Sequence, residues 1–130
     1  MLTSKVAAPT ARMRQGAAAE DLAAEHLRTH GLEVIARNLR CRAGELDLVC
    51  LDGDLLVVVE VRQRAGSRFG GALASVTWRK RCKLVRAVQF HWQRRPGWRC
   101  RPLRFDVVAV QGAKDGPREV VWIKDAFRVP

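Results

Sequence analysis

Two β-rich runs, residues 45–51 and 54–62, are separated only by Asp52-Gly53. That dipeptide tolerates the positive φ angles of a type I′ turn, so the runs are expected to form a β-hairpin. With Asp52-Gly53 as a two-residue loop, Leu51 faces Asp54, Asp47 faces Val58 and Glu45 faces Glu60. Side chains two apart point the same way along a strand, which makes Asp47 and Glu60 diagonal neighbours. One face then reads Glu45, Asp47, Val49, Leu51, Leu56, Val58, Glu60 and Arg62, and the other Leu46, Leu48, Cys50, Leu55, Val57, Val59 and Val61. A hairpin apolar on both faces is buried on both, as the inner strands of an α/β sheet are.

Periodicity supplies the flanking elements. In residues 12–30, Ala19, Leu22, Ala23, His26 and Leu27 recur at helical spacing, and Gly31 follows as a C-terminal glycine does. Residues 33–38 read as a short strand, 42–44 as a loop, and 66–71 as a second loop. Residues 77–94 read as a second helix with Trp78, Cys82, Val85, Val88 and Trp92 facing inward. Pro96, Gly97 and Pro102 break the chain before strands at 103–110 and 120–124. With no repeat or low-complexity tract in 130 residues, the expectation is a tail over residues 1–13 and one α/β domain over 14–130, in the order α-β-β-β-α-β-β. The basic, acid-free first 14 residues fit a flexible, frayed terminus and, more weakly, an organelle transit peptide.

Charge narrows the partner. Lys and Arg number 24 against 13 Asp and Glu, a net charge of +11, and arginine far outnumbers lysine. From Val61 to Phe105 there is no acid, yet 13 basic residues fall there, leaving 11 basic and 13 acidic in the other 85 positions. One contiguous segment thus carries the positive excess, as expected of a face built to neutralise phosphates, although an Arg-rich solvated surface would read similarly. Within it Arg79, Lys83 and Arg86 fall at i, i+4 and i+7 on one stripe of the second helix. Arg64, Arg68 and Lys80 join them as candidate nucleic-acid contacts.

No apolar run approaches the roughly 20 residues of a membrane span, and no signal-peptide core follows Lys5, so a soluble, cytoplasmic protein with no membrane partner is expected. Cys41, Cys50, Cys82 and Cys100 form no CxxC or CxxH pair, which argues for reduced thiols rather than a zinc site. His26 lies on the inward stripe of the first helix and reads as a core or helix-end histidine, and His30 and His91 lack metal-ligand spacing. Trp78 and Trp92 fit the core of the second helix; Trp98 would either stack on an unpaired base or cover an apolar patch.

The hairpin is acidic at one end only. Glu45, Asp47 and Glu60 gathered on a buried strand pair repel one another and require compensation. Arg62 and Arg64 could supply it as a structural ion-pair network. Alternatively, a hard divalent cation such as Mg²⁺ sits between Asp47 and Glu60, where it would activate a water and offset phosphate charge.

Gly44-Glu45-Leu46-Asp47-Leu48-Val49, Val59-Glu60-Val61-Arg62-Gln63-Arg64, Phe69-Gly70, Lys80 and Arg104-Phe105-Asp106-Val107, with Gly16, Glu20, Ala23, Leu27, Gly31, Arg37 and Asn38 upstream, resemble the YraN family of uncharacterised bacterial proteins. That family is similar to the PD-(D/E)XK nuclease superfamily, archaeal Holliday-junction resolvases in particular. The resemblance covers most of residues 16–110 and implies a restriction-endonuclease-like core, a mixed β-sheet flanked by helices. It also implies Asp47 and Glu60 as ligands of Mg²⁺ or Mn²⁺, with Glu20 close to the site; Glu20 would otherwise be a helix-flank glutamate paired with an arginine. The catalytic set expected is Asp47, Glu60, Arg62, Glu45 and Glu20. Arg62 stands where the superfamily carries lysine, and a guanidinium prefers bidentate oxyanion binding to water placement. Arg62 would then stabilise the phosphate, or Lys80 would reach in from the second helix. The leading expectation is a metal-dependent endonuclease acting on structured or branched DNA, with a homodimer as the form in which such an enzyme would cut two strands. The alternatives are a non-catalytic nucleic-acid-binding protein on the same fold, or a ribonucleoprotein or repair-complex partner whose basic face binds RNA or an acidic protein.

Overall fold

The computed structural model describes residues 11–64, 71, 74–112 and 116–128, with side chains from residue 17 onward. The first ten residues of the expected tail, Arg68, Phe69 and Gly70 lie outside the described residues. Helix α1 spans Ala11–Thr29. Its end is set by Gly31 at φ +90, with Gly31 N–H donating to the Arg28 carbonyl at 3.0 Å and Leu32 N–H to the Leu27 carbonyl at 3.1 Å. This crossed pair is a Schellman motif, and the contact that accompanies it is Leu32 against Leu27, both buried in one cluster.

Five strands follow as a single sheet in sequential order: β1 (Glu33–Cys41), β2 (Gly44–Asp52), β3 (Leu55–Arg64), β4 (Leu103–Gln111) and β5 (Glu119–Phe127). All neighbours are antiparallel except β3 and β4, which run parallel from Leu56 opposite Leu103 to Arg64 opposite Gln111. The parallel pair is joined by helix α2 (Trp78–Arg94) and the short helix α3 (Pro96–Arg99). Thr77 caps α2, its hydroxyl accepting from Lys80 N–H at 3.2 Å.

The helices cover opposite faces of the sheet. Ala23, Ala24 and Leu27 of α1 pack on Leu48, Cys50, Val57, Val59 and Val108. Leu84, Ala87 and Val88 of α2 pack on Val49, Leu56, Val58, Phe105, Val107 and Phe127. Each fully buried Leu or Val adds roughly 1.5–3 kcal/mol over leaving it in water, so β3, buried from Leu56 to Glu60, is the keystone of both layers. The α/β order and the mixed sheet flanked by helices agree with the sequence reading. None of the four cysteines is in a disulfide. No helix among the described residues is long and apolar enough to cross a membrane.

The hairpin register differs from expectation. Asp52 pairs with Leu55 and Val49 with Val58, so the loop is Gly53-Asp54 rather than Asp52-Gly53, and Asp47 does not face Val58. Gly53 has φ +60 and Asp54 does not have a positive φ, the pattern of a type II′ turn with glycine first. The slip is two residues, an even number, so the side chains from Leu48 onward stay on their expected faces, while Leu46 crosses to the other. Trp78 is 65 % exposed and Leu22 39 % exposed instead of inward, because the buried faces are Leu84, Ala87, Val88 and His91 on α2 and Ala19, Ala23, Ala24 and Leu27 on α1. Trp98 is 6 % exposed and packs into the α2 layer, which removes it as a base-stacking residue.

Candidate metal and nucleic-acid site

The β2–β3 ladder ends at Leu48 opposite Val59. Beyond that pair the Asp47 carboxylate replaces the missing backbone acceptor, taking the Val61 N–H at 2.9 Å. Leu46 packs in the α2 layer while Leu48 and Cys50 pack in the α1 layer, so the alternation of β2 breaks at Asp47. β3 continues against β4 as far as Arg64, and the gap it leaves beside β2 is where the carboxylates gather.

Glu20 of α1 and Glu45 and Asp47 of β2 each bring a carboxylate oxygen within 4.8 Å of the other two. Glu60 of β3 adjoins Asp47, and its charge is felt there. Four carboxylates from three elements therefore meet at one end of the hairpin. Burial, then the neighbouring Glu60, pushes the Asp47 carboxyl up to about 7. Burial also raises Glu60, against the lowering pull of Lys80 and Arg62, and raises Glu20, against a hydrogen bond from Asn38. Glu60 is 5 % exposed, and its Oε2 is buried without a hydrogen-bond partner.

Basic groups ring the cluster. Arg62 Nη2 lies 3.3 Å and Lys80 Nζ 3.6 Å from the same oxygen, Glu60 Oε1. Arg37 reaches Glu20 at 3.7 Å and Asp21 at 2.7 Å, and Arg40 reaches Glu45 at 3.2 Å. Arg37 and Arg40 stand outside the candidate set that the sequence offers: Arg37 lies within the expected strand at 33–38, where nothing local marks its acidic partners on α1, and Arg40 lies beyond that strand's expected end. Asn38, at φ 51, was quoted only for resemblance; an asparagine that readily adopts αL and can bond a carboxylate was the available signal.

The other candidates divide by exposure. Arg79, Lys83 and Arg86 are exposed on α2 and form the expected stripe. Arg64 is half-buried and turned back to the Gly71 carbonyl at 3.4 Å. Much of the remaining basic segment is structural: Arg81 donates to the Val76 carbonyl and lies over Phe127, Arg94 lies over Phe90, and Arg95 donates to Nδ1 of buried His91 at 2.7 Å. The His26 and His30 rings lie 4.4 Å apart, tilted by 35°, and both meet Trp122 edge-on.

Arg104-Phe105-Asp106 is a clasp. Asp106, fully buried, accepts from Arg104 Nε and Nη2 at 2.8 and 2.9 Å, from the Trp122 indole at 2.8 Å and from Asp125 N–H at 2.9 Å. Every lone-pair direction is engaged, so this carboxylate holds β4 to β5.

A family model described as "Uncharacterised protein family UPF0102" matches residues 19–110. A UPF0102 protein of Pseudomonas putida strain GB-1 is 50 % identical over 121 residues, 93 % of this chain and 96 % of that one. A UPF0102 protein of Pseudomonas entomophila strain L48 is 52 % identical over 112 residues, covering 86 % and 91 % respectively. A third, of Pseudomonas savastanoi pv. phaseolicola, is 46 % identical over 118 residues, covering 91 % and 96 %.

Proposed function

The chain belongs to the UPF0102 family, and on that premise we propose that it is a metal-dependent nuclease hydrolysing phosphodiester bonds in structured or branched DNA. The observation that carries this reading is the convergence of Glu20, Glu45 and Asp47 beside Glu60, whose buried Oε2 has no donor of its own. An all-oxygen, over-charged donor set with an orphaned carboxylate oxygen suits a hard divalent cation such as Mg²⁺ or Mn²⁺. Asp47 and Glu60 would hold that ion, with Glu20 and Glu45 alongside. When bound it acidifies a water and offsets charge on the phosphate.

The chain's own residues supply the rest. Lys80 sets a compact ammonium beside Glu60, able to orient a water, which a guanidinium does poorly. Lys80 thus fills from α2 the place that the PD-(D/E)XK pattern gives to a lysine on the strand. Arg62, beside the same carboxylate, presents further N–H donors to a phosphate oxyanion. The exposed Arg79, Lys83 and Arg86 extend the positive surface along α2 for the flanking backbone. A homodimer would offer two such sites to two strands.

A second reading, a non-catalytic nucleic-acid-binding protein on the same fold, is favoured by one observation: Arg62 and Lys80 both contact Glu60 Oε1 and neutralise it without a metal ion. Labelled single-stranded, duplex, flap and four-way-junction DNA incubated with Mg²⁺, Mn²⁺ or EDTA separates the two. A nuclease cuts only with metal, and Asp47→Ala abolishes cutting while binding survives. Tight binding with no cut under any metal establishes the second reading instead.

A further inference from the structure

We propose that Trp78 is a stacking platform for an unpaired nucleobase of the strand held along the basic stripe of α2, so that it selects DNA with splayed or single-stranded nucleotides; this rests on the nuclease reading above. Of the four tryptophans only Trp78 is largely exposed. Trp98 is buried, the Trp92 indole donates to the Trp98 carbonyl, and the Trp122 indole donates to Asp106. Those three have structural tasks; the Trp78 ring has none among the described residues.

Its position gives the ring a use. At 3.6 residues per turn, Lys80 lies on the side of α2 that carries Leu84, Ala87, Val88 and His91 inward, and from there it reaches Glu60. Trp78 lies on the solvent side, about a third of a turn from the stripe of Arg79, Lys83 and Arg86. Backbone phosphates held along that stripe leave a base of the same strand within reach of the indole, on the side of α2 away from Lys80. Thr77 caps this turn, so the ring stands on a fixed helix start rather than on a loop. A base inside a duplex has both faces covered by its neighbours and cannot use such a platform. A base at a flap, junction or single-stranded end can, and stacking of this kind is indifferent to base identity.

The test uses the full chain in EDTA, with wild type, Trp78→Phe and Trp78→Ala titrated onto labelled single-stranded, flap and fully paired duplex DNA. Trp78→Ala is expected to weaken single-stranded and flap binding roughly tenfold while leaving the duplex within about twofold, and Trp78→Phe to recover most of the loss. The same preference is expected in Mg²⁺ cleavage rates. Equal losses on duplex and flap, or no loss on either while wild type still binds and cuts, overturn the stacking role and leave the nuclease reading standing. A change in sedimentation of Trp78→Ala makes the ring a self-association contact and also overturns it. Wild type that neither binds nor cuts any of these DNAs overturns both.

Discussion

Asp47 is held between two demands, to accept a backbone N–H and to sit beside other carboxylates, and these demands fix how it titrates. In an unfolded chain it ionises near 3.8; in the fold burial and Glu60 move it to about 7. Between those values the folded protein keeps a proton that the unfolded chain has released, so stability falls as pH rises through the window and the penalty is complete above it. Asp47→Asn can still accept from Val61 and never ionises. In EDTA the variant is expected to be more stable than wild type at pH 8 by about 1–2 kcal/mol, the difference shrinking to nothing near the ordinary carboxylate range. Urea unfolding at several pH values reads this directly. A variant less stable at pH 8 would make Asp47 part of a stabilising ion-pair network. On the proposed reading, Mg²⁺ bound at this site is expected to act in the opposite direction. At a hundred times its dissociation constant it should stabilise wild type by about 2.7 kcal/mol and do little for Asp47→Asn.

At the scale of elements, β4 and β5 are joined by a buried charge, and its loss is costly in a way a surface pair is not. Asp106→Ala leaves the Arg104 guanidinium, the Trp122 indole and the Asp125 N–H without an acceptor, and unfolding should become easier by roughly 3–5 kcal/mol. Cleavage per folded molecule should be unchanged, which distinguishes this carboxylate from Asp47. Sequence does not separate them: both stand in short blocks that carry the resemblance, and only the pairing of β4 with β5 puts Trp122 beside Asp106. The hairpin faces from Leu48 onward are legible because alternation survives an even slip, the break at Asp47 that turns Leu46 over is not, and the turn is displaced because one glycine with positive φ serves both I′ and II′ geometries. On α2, Trp78, Cys82, Val85 and Trp92 make an apolar stripe next to Leu84, Ala87 and Val88. Periodicity alone could not say which of the two meets the sheet; close packing selects the small and branched side chains and leaves Trp78 outside. Glu20 was reached through the resemblance, and its convergence with Glu45 is a long-range fact that no local pattern encodes.

For the whole molecule the question is how a surface that gathers four carboxylates would attract the polyanion that the proposed function requires. The acid-free segment from Val61 to Phe105 supplies the excess, but its basic residues are not equivalent. Arg81, Arg94, Arg95 and Arg104 are committed to carbonyls, rings, a histidine and Asp106, so they shape the fold more than the outer field. Arg79, Lys83 and Arg86 are exposed and have no hydrogen bond or ion pair among the described residues, so counterions are theirs to release. Each phosphate they neutralise adds about −0.9 to the slope of log binding constant against log salt. Replacing all three by glutamine should therefore flatten that slope by about 3 and weaken flap, duplex and single-stranded DNA alike. Arg81→Gln should leave the slope nearly as it was and lower stability instead, since Arg81 ties the start of α2 to Phe127 on β5. Titrations of both variants from low to physiological salt decide the matter. An unchanged slope in the triple variant would place the footprint off α2, away from Lys80 and the carboxylates, and the two halves of the proposed site would no longer belong to one substrate.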